Sequence, residues 1–262
     1  MYPRKIYHIL EKHLENSQIT VITGMRRTGK TVAVKYLMEK ITSSNKLYID
    51  LERLDSREIF AQKNYDAILN SFSQLGIDTT KKAYIFLDEI QLVKNIPSVI
   101  KYLSDTHQIK FIVTGSSSYY LKNLFSESLS GRKKIFEIFP LDFSEFLTFK
   151  GIAHKDEDFI EKKFNRAEYE RLQSYYEEYI TYGGFPGVVK TKSVAEKKDM
   201  LFDILDSYIK LDIKVLADFR SLDKVDRLLK MLSQRVGTKL DYAKISRLSG
   251  LSRETVLNYI LR

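Results

Sequence analysis

The chain has 262 residues, of which 44% are hydrophobic and 29% charged, with a formal net charge of +9 and no cysteine. This composition suits a globular protein of one large or two smaller domains. The missing thiols exclude a disulfide framework, a cysteine nucleophile and a Cys-ligated zinc. No apolar run approaches 18 residues, so no membrane-spanning helix and no membrane partner are expected, and a cytoplasmic location is the expectation.

The basic charge is uneven. From Asp226 to Arg262, eight Lys/Arg stand against three Asp/Glu, so over half of the net charge sits in the last 37 residues. Such an excess fits either solvated helix surfaces or contact with nucleic acid.

The opening "MYPRKIYHILEKHLENSQ" carries charges among its apolar positions and no small-residue cleavage site. It reads as a short amphipathic helix, not a leader. "QITVIT" is β-rich and runs into Gly24-Met25-Arg26-Arg27-Thr28-Gly29-Lys30-Thr31, which fits G-x-x-x-x-G-K-[ST]. The chemistry assigns each position. Gly24 and Gly29 let the backbone curl its N–H groups inward as an anion nest, with Thr28 in the same loop. The helix beginning "TVAVKYLMEKI" adds its N-terminal N–H groups to the same anion, which brings Val32 in its first turn to the binding side. Lys30 supplies a cation to the β- and γ-phosphates, and Thr31 a hydroxyl to Mg²⁺. Arg26 and Arg27 fit two readings, phosphate contact or loop decoration.

"KLYIDL" is a second strand. "AYIFLDEIQ" is an apolar strand ending in Asp88 and Glu89. Asp88 is placed to hold Mg²⁺ through water, and Glu89 to orient and deprotonate an attacking water. "KFIVTGSSSYY" ends a further strand in polar residues, making Thr114, Ser116 and Ser117 candidates for sensing a γ-phosphate; the serines also suit a helix N-cap. "ESLSGRKKIFEIF" places Arg132 before the last strand, either as an arginine reaching a neighbouring subunit's γ-phosphate or as a surface residue of a basic loop. Alternating strands and helices predict a parallel sheet with helices on both faces.

After "FPLDFSEFL" strand signals cease. "DEDFIEKKFNRAEYERLQSYYEEYI" and "SVAEKKDMLFDILDSYIKLDIKVLADF" read as helices on either side of "TYGGFPGVV". In the tail, "LDYAKISRLSG" and "SRETVLNYI" read as two short helices, the second capped by Ser252 with Thr255 three residues on. This pairing reads as helix-turn-helix, with Arg253, Glu254 and Asn258 early in the second helix; protein packing is the alternative use. The four histidines, His8, His13, His107 and His154, lack metal-ligand spacing.

The order of these motifs, with "SLSGR" before "FPLDFSEF", resembles the AAA+/STAND group of P-loop ATPases, and more narrowly prokaryotic AAA-family ATPases carrying a C-terminal domain of unknown function. The resemblance implies a P-loop NTPase fold with sheet order 5-1-4-3-2 and the Thr114 strand between those of the P-loop and Asp88. It also implies ATP with Mg²⁺ as ligands, and a proline near the adenine, for which Gly184-Phe185-Pro186 is the match. The expected layout is an ATPase core at 1–145, a helical lid at 146–222 and the start of a winged helix at 223–262, a fragment of a longer family pattern. The expected activity is ATP hydrolysis in a nucleotide-dependent switch. An oligomeric motor, or a DNA-binding regulator with little hydrolysis, is the alternative; a homo-oligomer and a DNA or protein partner through the C-terminal helices remain open.

Overall fold

The computed structural model describes residues 1–115, 129, 131–154, 165–213 and 222–261. Five strands form one sheet: β1 (Ile19–Thr23), β2 (Lys46–Asp50), β3 (Ala83–Asp88), β4 (Ile109–Gly115) and β5 (Lys133–Glu137). All pair in parallel, in the order β2-β3-β4-β1-β5. Read from the other edge this is 5-1-4-3-2, the expected order. β1 and β4 are buried at every position, as apolar runs covered on both faces must be.

The helices around the sheet are α1 (Lys5–His13), α2 (Lys30–Lys40), α3 (Leu54–Phe60), α4 (Tyr65–Gln74) and α5 (Ile96–Thr106). They divide its covering into two apolar clusters. One gathers Phe60, Phe72, Ile85, Leu87, Ile100, Phe111 and Val113. The other gathers Leu10, Ile22, Val34, Leu37, Phe86 and Ile112. Alternation along β3 sends Ile85 and Leu87 to the first cluster and Phe86 to the second. Each such side chain contributes about 1.5–3 kcal/mol when fully buried. The rigidity obtained this way fixes where the strand ends project.

Beyond β5 come α6 (Phe143–Lys150), α7 (Arg166–Tyr182), α8 (Pro186–Lys190) and α9 (Val194–Ser207). A capping box starts α6: the Asp142 carboxylate accepts from Glu145 N–H, and Glu145 accepts from Asp142 N–H. Glu178 on α7 accepts from Lys150 at 2.6 Å and from Lys197 on α9. Burial alone would push its carboxyl up, but the two lysines pull it below the ordinary glutamate value.

The chain divides into two compact units, Met1–Phe202 and Asp203–Arg262. The division falls within α9, so α6 to α8 share a unit with the sheet. In the second unit, α10 (Leu222–Ser233), α11 (Tyr242–Ser249) and α12 (Arg253–Leu261) enclose Leu228, Ile245, Leu251 and Val256. Gly250 ends α11 in the left-handed region at φ 68°, and Ser252 Oγ accepts from Thr255 N–H at 3.0 Å. Arg253 and Glu254 are exposed; the side chain of Asn258 lies outside the described set. Among the described residues no helix is long and apolar enough to cross a membrane.

Candidate active site

β1 ends at Thr23, and the chain turns at Gly24 with φ 146°. A Cβ on Gly24 would stand 2.2 Å from the carbonyl oxygen of Ile138, whose N–H donates to Thr23 O at 2.7 Å. Only glycine allows this approach. The loop closes through Thr28 Oγ1 donating to Met25 O at 2.8 Å, and Gly29 begins α2 at φ 102°. Arg27 takes the left-handed region at φ 63° and is exposed, whereas Arg26 is half-buried. Val32 is 46% exposed on the first turn of α2. Lys30 is buried, and its Nζ donates to Gly24 O at 3.1 Å and Met25 O at 2.9 Å. Loop and lysine therefore form one bonded unit, its ammonium held against the curl.

Asp88 is the hub of the site and 3% exposed. Its Oδ2 accepts from Thr31 Oγ1 at 2.8 Å and from the Tyr48 hydroxyl at 2.8 Å; its Oδ1 accepts from Thr114 Oγ1. Burial and then the Asp88 bond push the Tyr48 phenol well above its ordinary value, so it stays a donor. Thr114 also accepts from Glu89 N–H at 3.1 Å, bracing both acids with one hydroxyl. Glu89 itself sits in the left-handed region at φ 59°, a conformation costing a non-glycine residue about 1–3 kcal/mol. The Gln91 amide donates to its carboxylate. β3 ends at Asp88, so this left-handed residue is where the chain leaves the strand.

The structure thus brings Gly24, Thr28, Gly29, Lys30, Thr31, Asp88, Glu89 and Thr114 to the C-terminal ends of three adjacent strands. Arg132 lies before β5, at the opposite end of the sheet, and pairs with Asp105 at 2.8 Å with both side chains well exposed. Pro186 opens α8, next to Gly184, whose carbonyl accepts from Leu141 N–H at 2.7 Å. Ser116 and Ser117 lie outside the described residues.

Sequence reasoning missed three residues. Tyr48 reads as an ordinary strand former, although the order 5-1-4-3-2 puts β2 beside β3 and so within reach of Asp88. Gln91 follows Glu89 by two in "DEIQ". Arg4 carries no signal: it precedes the first strand, yet its Nη1 donates to Thr28 O at 3.1 Å.

A family profile described as an AAA domain matches residues 16–147, just over half of the chain. The chain belongs to the AAA family. Its P-loop and Asp88 fall inside the matched AAA region, whereas Arg4 does not. Residues 173–261 match a second profile, a domain of unknown function, DUF8612. An uncharacterized protein of Methanocaldococcus jannaschii, MJ1544, is 30% identical over 256 residues, covering 96% of this chain and 55% of that protein. An uncharacterized protein of Haemophilus influenzae is 28% identical over 233 residues, covering 87% and 54%. The chain spans about half the length of these curated relatives. Among solved structures, the Walker-type ATPase PABY2304 of Pyrococcus abyssi shares the fold, with a TM-score of 0.52 and 16% identity over 99% of this chain and 89% of that one.

The oxygens of Thr31 and Asp88, adjacent and hard, suit a magnesium ion, which takes one or two protein oxygens and completes its shell with phosphate and water. Among the described residues no group of three or more His, Asp or Glu side chains could hold a metal.

Proposed function

We propose that this AAA domain binds ATP at the P-loop and hydrolyses its β–γ phosphoanhydride bond, using turnover as a switch that regulates a partner. The observation that carries the reading is the junction of Thr31 and Asp88 at 2.8 Å where α2 leaves the P-loop, with Glu89 one residue on. The curl of residues 24–29 and the first N–H groups of α2 bind the triphosphate, and Lys30 places its charge on the β- and γ-phosphates. Thr31 and Asp88 would hold Mg²⁺, which when bound offsets charge developing on the phosphate oxygens. Glu89 accepts a proton from water as that water's oxygen bonds to the γ-phosphorus, while the bond from phosphorus to the bridging oxygen breaks and ADP leaves. Thr114 keeps both acids in register for that transfer.

A second reading, an assembling ATPase, draws on the place of Arg132. This exposed residue, outside its own chain's site, would exchange its Asp105 partner for a neighbour's γ-phosphate. A partner bound through α11 and α12 draws on the exposed Arg253 and the basic tail, which suit DNA phosphates or an acidic protein surface.

The test is calorimetric titration of ATP, with and without Mg²⁺, into wild type and Lys30→Ala. Binding by wild type and a loss of roughly 100-fold in the variant are expected for a charge-assisted phosphate contact. Equal affinities would remove the P-loop from the reading.

A further inference from the structure

Arg4 makes a three-way contact for which the ATPase motifs have no use. Its Nε donates to Glu145 Oε1 at 2.9 Å, its Nη1 to Thr28 O at 3.1 Å and its Nη2 to Phe139 O at 2.9 Å. The arginine and glutamate side chains are only 6% and 9% exposed. The same Glu145 oxygen accepts from Lys5 N–H at 2.9 Å, while Oε2 closes the capping box of α6. A buried guanidinium and carboxylate bonded this fully hold one geometry, and a lysine cannot copy a fork with three separate acceptors.

The segment that Arg4 grips, residues 138–145, is fastened at two other points. At one end it touches the start of the P-loop: Ile138 N–H donates to Thr23 O, and Ile138 O leaves no room for a side chain on Gly24. Further on, Leu141 N–H donates to Gly184 O at 2.7 Å, and a Cβ on Gly184 would stand 2.1 Å from Leu141 O. Tyr179 of α7 adds a bond to that same Leu141 oxygen at 3.0 Å. Phosphate loop, strap and Gly184-Phe185-Pro186 turn are therefore joined by hydrogen bonds and backbone approaches too close for independent movement, with Arg4 reaching both loop and strap.

We propose that Arg4, seated on Glu145, is a positioning residue that sets the P-loop for nucleotide and carries nucleotide occupancy to the turn that begins α8. This rests on the reading of the P-loop as an ATP site. Shifting Thr28 O moves Arg4; Arg4 moves Phe139 and Glu145; the strap then moves Leu141 against Gly184. Occupancy that stiffens the loop also stiffens the turn.

The experiment compares wild type, Arg4→Lys and Glu145→Gln in the full chain by three readouts: affinity for Mg-ATP, thermal midpoint without nucleotide, and amide hydrogen exchange over residues 184–190 with and without nucleotide. In wild type, nucleotide should slow exchange in that window. Arg4→Lys should bind about tenfold more weakly or worse, the loss expected when charge-assisted bonds fail. It should also lose most of the nucleotide-dependent protection, together with the fall in thermal midpoint that losing buried charge-assisted bonds brings. Glu145→Gln, which keeps the shape and the hydrogen-bond acceptor, should fall between the two. Wild-type affinity and protection in both variants would overturn the proposal. So would a lowered midpoint with full nucleotide-dependent protection, the signature of a purely structural ion pair. Failure of wild type itself to bind ATP would overturn the ATP-site reading and this proposal with it, whereas normal wild-type binding with indifferent variants defeats the coupling alone.

Discussion

The two ends of the sheet handle buried polar groups in opposite ways. At the C-terminal ends of β1, β3 and β4, one buried carboxylate accepts from three hydroxyls, those of Thr31, Tyr48 and Thr114. At the N-terminal ends, the buried ammonium of Lys110 donates to the main-chain carbonyls of Asn16 and Gln18, tying the chain between α1 and β1 to β4. There too His13 Nδ1 meets Thr20 Oγ1 at 2.8 Å. Hydroxyls can turn to satisfy another acceptor, so the first end can exchange its bonds for a ligand's. Main-chain carbonyls fixed in a turn cannot, so the second end is closed. The same strands thus present a site at one end and a seam at the other.

Exchanging Thr114 tests the first end most sharply. Thr114→Val removes the donor to Asp88 and the acceptor for Glu89 N–H together, and ATP turnover should fall about tenfold or more with little change in ATP affinity. Thr114→Ser should restore most of it. A valine variant with wild-type turnover would show that the two acids hold position without the brace.

Lys110 tests the second end. Burial, with a smaller contribution from Lys82, lowers its ammonium from the ordinary lysine value to about 7. Above that pH the native chain releases a proton that the unfolded chain keeps. Stability should therefore rise from about pH 7 toward pH 10. Beyond about pH 10 the raised phenol of Tyr48 works the other way, because the unfolded chain ionises first. Lys110→Met should flatten the rise between pH 7 and 10 in urea unfolding, and an unchanged slope would assign the dependence elsewhere.

The smallest effect belongs to Arg132. Its pair with Asp105 is half exposed and contributes at most about 1 kcal/mol to stability. Arg132→Ala should leave ATP affinity and the thermal midpoint unchanged. A fall in turnover that grows with protein concentration would make the seam end an interface that serves a neighbour's site; indifferent turnover would confine the chemistry to the other end.

The fold and the first end were largely legible in the sequence, and the seam was not. Apolar runs placed all five strands, and glycine spacing placed the loop, because both are set by local backbone constraints. The AAA resemblance then ordered the sheet correctly. What escaped were long-range polar contacts. Tyr48 and Arg4 act through partners 40 and 24 residues away, and nothing in their local pattern separates them from a strand residue and a helix flank. The position of Thr114 at a strand end points to a ligand, and the fold shows a nearer partner, the Asp88 carboxylate, which only the pairing of β3 with β4 brings within reach.

The most direct test of the account is single-turnover hydrolysis of ATP by wild type and Glu89→Gln, across a protein concentration series and with or without duplex DNA. The account predicts phosphate release by wild type and a loss of about 10²–10⁴-fold in the variant, with ATP still bound. Equal hydrolysis by the two proteins, or none by wild type under every condition, would contradict it.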